Sequence, residues 1–243
     1  MSHWYDKNGK LFDTDLRTAR KEGYVPSVTE IIHTFENSYG LDLYKARQMF
    51  FASLTLPRPE GITDEEYFEL VKKDSEEHSE RAKQFGTELH GVITDILNDC
   101  HWAQTPGNLK IKKAYEVVEW IRQNKDSVIV DFKTQETKDG KFKQPYDSWL
   151  FQLCGYYLAH QFCRKQGAEV NFAIDYYGGT IDYFELQGTP IKLINIMISS
   201  NEDIPVKIYE WKPDKIQLGI KVFEQMIALY RTLKRLPDCI KST

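Results

Sequence analysis

Apolar positions along the chain recur at two periods, and each change of period marks an element. Spacings of three and four residues define helices, whereas β-branched runs bounded by turn residues define strands. The first twenty-five residues are polar with little periodicity, which predicts irregular structure. Pro26-Ser27-Val28-Thr29-Glu30 then opens a helix, with Ser27 as N-cap and Glu30 three residues on completing a capping box. Helices are predicted over residues 42–52 and 63–85, the second carrying a run of charge from Glu65 to Glu77 that marks a solvated face. Residues 86–97 continue as helix, with Leu89, Val92, Ile93, Ile96 and Leu97 on one apolar stripe and His90 beside it. After Pro106-Gly107, residues 109–123 form another amphipathic helix, with Ile111, Ala114, Val118 and Ile121 at helical spacing.

A strand follows in Val128-Ile129-Val130-Asp131-Phe132-Lys133-Thr134. Side chains of a strand alternate between faces, so Asp131 and Lys133 share one. A Lys/Gly-rich loop over 137–145 leads to a helix over 147–166, on which Gln152 and Tyr156, four apart, lie on one face. Residues 169–177 and 180–187 flank Gly178-Gly179, a hairpin signal. Strands over 191–199 and 206–211 and a last helix over 214–236 complete the pattern. The implied class is α/β (α+β): a central mixed β-sheet flanked by helices in one unit, with residues 1–85 a helical N-terminal region and residues 86–243 the core. No repeat or low-complexity tract occurs.

Composition narrows the functional classes. A chain of 243 residues with 41% hydrophobic content can bury a full core in one catalytic unit. No segment approaches the roughly twenty apolar residues of a membrane span. The start, Met1-Ser2-His3-Trp4-Tyr5-Asp6, lacks the basic and apolar parts of a signal peptide, so the expected location is the cytoplasm, without a membrane. Cys100, Cys154, Cys163 and Cys239 form no Cys-x-x-Cys pair, which predicts reduced packing thiols and no zinc ribbon. A net charge of −4 counts against a protein that coats nucleic acid nonspecifically. It leaves room for a nuclease, in which metal-binding carboxylates supply acid and a local basic groove meets DNA. Lys110, Lys112 and Lys113, then Lys138, Lys141 and Lys143, are candidates for that groove; solvated faces and loop tips account for them equally. The chain has no Gly-x-x-x-x-Gly-Lys-[Ser/Thr] phosphate loop and no iron–sulfur cysteine cluster, so a stand-alone enzyme is expected and not a fused helicase.

A carboxylate and an ammonium side by side at a strand end suit a metal-dependent hydrolase. The carboxylate holds a hard divalent cation, while the lysine orients water and offsets charge growing on a phosphate. Alone, the pair also reads as an ion pair on an edge strand. Together with three other segments it resembles the PD-(D/E)XK nuclease superfamily, in its RecB-type and phage-type exonuclease branch. Gly86-Thr87-Glu88-Leu89-His90 resembles the motif I helix, whose histidine is a metal ligand. Tyr177-Gly178-Gly179-Thr180-Ile181-Asp182 resembles the motif II strand, whose aspartate is the central ligand. Asp131-Phe132-Lys133 resembles motif III, and Gln152 with Tyr156 resembles the Gln-x-x-x-Tyr helix that lies against DNA. Pro26-Ser27-Val28-Thr29 is similar to the opening of phage members. The resemblance covers residues 26–188.

The order of these segments departs from the family, in which motif II precedes motif III. Three readings of that order stand: a permuted hairpin, a linear order that differs from the native connectivity, or a chance turn in a chain that has lost motif II. In the last case Glu119 is the nearest acid before Asp131, although helical spacing gives it a surface role.

The resemblance implies a restriction-endonuclease-like core and hydrolysis of DNA phosphodiesters. Asp131 and Asp182 would bridge one or two Mg²⁺ or Mn²⁺ with the His90 imidazole and the Phe132 carbonyl, the nitrogen ligand favouring Mn²⁺ beside Mg²⁺. Lys133 would position water, and Gln152 and Tyr156 would hold the DNA backbone. The expected function is a metal-dependent DNA exonuclease of phage or mobile-element recombination or replication. A homo-oligomer or a recombination partner protein is compatible with this, though no interface signature stands out. The alternatives are a noncatalytic nucleic-acid-binding or assembly protein on the same fold, and a Mg²⁺ hydrolase of free nucleotides.

Overall fold

A computed structural model describes residues 2–6, 10–36, 39–103, 107–124, 128–165 and 192–236. In chain order these form β1 (Ser2–Tyr5), β2 (Leu11–Thr14), α1 (Leu16–Glu22), β3 (Val25–Pro26), α2 (Val28–Phe35), α3 (Tyr39–Thr55), α4 (Asp64–Leu97), α5 (Leu109–Gln123), β4 (Val128–Gln135), α6 (Asp147–Lys165), β5 (Lys192–Ser199), β6 (Lys207–Glu210) and α7 (Pro213–Leu233).

β5 is buried at every position after Lys192, the mark of a strand covered on both faces. It pairs parallel with β4 over their whole length and antiparallel with β6, giving a mixed sheet in the order β4-β5-β6. Alternation then assigns the two faces. Phe132, Ile194, Ile196 and Ile198 pack on the stripe of α4 and on Ala114, Val117 and Val118 of α5. Ile129 and Leu193 pack on Leu150, Leu153 and Phe223 of α6 and α7. Helix layers on both faces of a sheet are the usual way to cover a parallel strand pair. Each fully buried Leu or Ile of these layers contributes about 1.5–3 kcal/mol over its exposed state.

The first twenty-five residues depart from the irregular structure that their polarity predicts. They build a second, antiparallel sheet in the order β2-β1-β3. Its strands have only two to four residues, too few for alternation to register. The sheet is held by Trp4, 1% exposed, which joins Ala19, Ile31, Ile32 and Tyr230 in the core cluster of α6 and α7. The N-terminal region is thus mixed in structure and shares that core.

α4 runs unbroken through Gly86, joining residues 63–85 and 86–97 as the continuous helix expected. It is capped by a reciprocal Thr63–Glu66 box and is 34 residues long, about 51 Å. Gly86 is a point of close approach: a Cβ there would lie 2.9 Å from Thr134 Oγ1 of β4. The glycine lets α4 close on β4 one turn before His90. Ser27 caps α2 by accepting from the Glu30 N–H at 3.0 Å, whereas the Glu30 carboxylate accepts from Tyr230 Oη at 3.3 Å and ties α2 to α7. Among the described residues no helix is long and apolar enough to cross a membrane.

Candidate active site

β4 is an edge of its sheet among the described residues, and its odd-numbered side chains face α6. Lys133 Nζ lies 3.0 Å from Asp131 Oδ2, with the two side chains 21% and 11% exposed. From α6, Gln152 reaches down on the same face. Its Oε1 accepts from Lys133 Nζ at 2.7 Å, and its Nε2 donates to Tyr156 Oη at 2.7 Å and approaches Asp131 Oδ1 at 3.5 Å. The i, i+4 spacing on α6 and the i, i+2 spacing on β4 therefore meet in one network, as the two periods require.

His90 comes to this group from α4. Its ring stands edge-on to Phe132 with centroids 5.3 Å apart. Burial holds the imidazole below its ordinary pKa range, and the Lys133 cation adds to this; the Asp131 charge and a hydrogen bond to the Phe132 carbonyl act in the opposite sense. A histidine held neutral is the form that ligates a metal, and a carbonyl on one ring nitrogen fixes the tautomer. His90 and the Phe132 carbonyl, both expected as metal ligands, thus also bond to each other.

The register of the sheet adds residues that the sequence pattern does not single out. Asn195 of β5 sits directly opposite Asp131 and is fully buried. Its Nδ2 donates to Asp131 Oδ2 at 3.1 Å, and its Oδ1 accepts from the buried Trp211 Nε1 at 2.8 Å. The indole thereby orients the amide, and the amide orients the carboxylate. From the end of α2, His33 and Glu36 line the cavity above Asp131, joined by a 2.7 Å hydrogen bond. Trp149 lines it from α6, with Lys133 Nζ 5.8 Å from its ring. The cavity that Asp131, Lys133, Gln152, Tyr156 and His90 share has a volume of about 250 Å³.

Other expected residues lie elsewhere. Asp182 and the hairpin over 169–187 are outside the described residues. Glu119 is exposed and accepts from Gln123, consistent with a surface role. The first lysine group forms no open basic groove. Lys110 pairs with Glu88, Lys112 with Asp203 at 2.7 Å, and Lys113 is fully buried against Glu116 and the Ile204 carbonyl. Lys138, Lys141 and Lys143 occupy an exposed turn. Cys100 and Cys154 are free thiols.

Asp131, His90, His33 and Glu36 line this cavity, and among the described residues no three His, Cys, Asp or Glu side chains converge as a closed metal cage. The Asp131 carboxylate suits a hard ion such as Mg²⁺, which keeps several waters and takes one or two carboxylates, whereas the His90 nitrogen is not a ligand that Mg²⁺ prefers. Among the described residues the group does not make a structural site of four protein ligands. Comparison of the chain with protein-family models, with curated proteins and with solved structures finds no match.

Proposed function

We propose that the chain is a Mg²⁺- or Mn²⁺-dependent deoxyribonuclease acting on DNA ends, with the β4-β5-β6 sheet as a restriction-endonuclease-like core, working in the cytoplasm in phage or mobile-element recombination or replication. The observation that carries the reading is the convergence of Asp131, Lys133, Gln152, Tyr156 and His90, from three elements, on one cavity. Asp131 and the neutral His90 would hold the cation, with Asp182 as the second carboxylate of the family pattern. A bound divalent ion supplies polarisation of the phosphate and a more acidic water. Lys133 offers its ammonium to the water or to the developing phosphoryl charge, and Gln152 holds Lys133 at 2.7 Å so that this donor is preorganised. Tyr156, bonded to the same glutamine, is placed to contact the DNA backbone.

End-labelled linear DNA, incubated with wild type or Lys133→Ala in Mg²⁺, Mn²⁺ or EDTA, tests the reading. Label is lost only with metal and only in the wild type. A folded wild type that leaves DNA intact in Mn²⁺ refutes it. The position of Asp182 after Asp131, reversed from the family order, favours one second reading, a noncatalytic nucleic-acid-binding or assembly protein on the same fold. Retained DNA binding without cleavage is its signature.

A further inference from the structure

A second cavity, about 270 Å³, adjoins the first and shares Trp149 with it. Its walls are Tyr44 of α3, Ala82 of α4, Gln135 at the end of β4, and Lys143, Tyr146 and Trp149. The aromatic groups are placed as a surface and not as core. Tyr44 is 47% and Tyr146 55% exposed. Tyr146 stands edge-on to Trp149 with centroids 5.3 Å apart and planes at 86°, and Trp149 in turn meets Lys133 of the first cavity. The Lys143 backbone is pinned by its N–H, which donates to Gln135 Oε1 at 3.0 Å, while its side chain is exposed at the rim.

We infer that this second cavity is a stacking subsite for unpaired nucleobases, and that the substrate delivered to Lys133 and Asp131 is a single strand or a frayed end. The inference rests on the nuclease reading for the polymer's identity. Open aromatic rings beside a phosphate-processing site accept any base through its π-face, whereas the bases inside a duplex are stacked on each other and have no face to offer. Charge alone does not explain the site, because its rim carries one lysine, Lys143, and one carboxylate, Glu136. Selectivity therefore lies in the rings. Tyr44 and Tyr146 together span the cavity from α3 to the start of α6, so the base is held between elements that also frame the catalytic strand.

Fluorescence anisotropy with a labelled oligothymidylate and with a blunt duplex, both in EDTA so that nothing is cleaved, tests the assignment. Wild type binds the single strand more tightly than the duplex. Tyr44→Ala and Tyr146→Ala each weaken single-strand binding by about fivefold to a hundredfold and leave duplex binding unchanged, while Tyr146→Phe keeps wild-type affinity. Thermal unfolding of each variant checks that the fold is intact, as half-exposed side chains allow. Affinity for the single strand that is unchanged in both alanine variants, or lost equally for single strand and duplex, overturns the assignment. Cleavage of end-labelled DNA in Mn²⁺ is scored separately. Tyrosine-dependent single-strand binding without cleavage refutes the hydrolytic reading and keeps the subsite, and cleavage indifferent to both tyrosines does the reverse.

Discussion

Asn195→Ala tests whether the buried amide clamps the candidate carboxylate. The substitution removes the donor to Asp131 Oδ2 and strands the Trp211 indole N–H, which Asn195 Oδ1 accepts at 2.8 Å. Asn195 is 0% and Trp211 6% exposed, so water does not readily replace either bond. A hydrogen bond to a charged group contributes about 1.5–3 kcal/mol, and an orphaned buried donor costs about 1–3 kcal/mol. The two are not additive, and about 3 kcal/mol is the expected loss. In a chain of this size that lowers the melting temperature by about 6–12 °C. Circular dichroism melts and denaturant titrations, with the slope of the titration unchanged, read the effect. Trp211→Phe keeps the donor to Asp131 and strands the amide oxygen, with an added loss from the smaller ring in a buried site. A melting temperature within about 2 °C of wild type for Asn195→Ala refutes the clamp.

Three further outcomes follow from the packing and the electrostatics. Gly155→Ala places a Cβ 2.7 Å from Val28 Cγ1 and 2.8 Å from Phe223 Cζ; the overpacking costs about 1–3 kcal/mol, beyond the helix-propensity gain of about 1 kcal/mol, and a raised denaturant midpoint refutes it. His90 titrates below its unfolded value of about 6.5, so the unfolded chain takes up the proton first as pH falls. Stability is full above that value, declines below it and levels off once folded His90 is itself protonated; His90→Gln flattens this interval in a pH series of denaturant midpoints, and an unaltered slope speaks against the burial argument. Burial pushes the Cys154 thiol up to about 12, whereas Cys100 is exposed, so peptide-mapped alkylation of native protein labels Cys100 before Cys154; the opposite order contradicts the packing.

Local signals were legible wherever an element was long enough to repeat its period. Residues 109–123 show the helical spacing over their full length and form α5 with those bounds. β4 places Asp131 and Lys133 on one face because alternation needs no tertiary information. The N-terminal sheet was hidden because its strands are shorter than one readable period, and their stability comes from Trp4 meeting residues more than a hundred positions away. Helix continues through Gly86 despite glycine's low helix propensity, and what the sequence does not reveal is the close approach to Thr134 that this glycine permits. The pairing of the first lysine group is hidden for a related reason: Glu88 and Asp203, which neutralise Lys110 and Lys112, are remote in sequence, so it is invisible in a linear reading. Asn195 reads as one polar residue in an apolar run, and only the β4–β5 register sets it opposite Asp131.

The two partners of Asp131 Oδ2 differ in kind, and the difference explains why Asp-x-Lys is ambiguous as a motif. Asn195 is neutral, buried and fixed from behind by Trp211, so it holds the carboxylate in any state of the site. Lys133 is a cation with further partners besides Asp131, the Gln152 oxygen at 2.7 Å and the Trp149 ring at 5.8 Å. On the proposed reading, a phosphate entering the cavity would compete with Asp131 for that ammonium, and the Asn195 donor would keep the carboxylate oriented. Under the same hydrolytic proposal, the two residues that form an ion pair here would act as a catalytic pair once substrate is bound. Lys133→Ala takes away the cation and leaves the clamp, whereas Asn195→Ala takes away the clamp and leaves the cation. A loss of cleavage without a large loss of stability in the first, set against a loss of stability in the second, separates the hydrolytic role of the pair from its structural one.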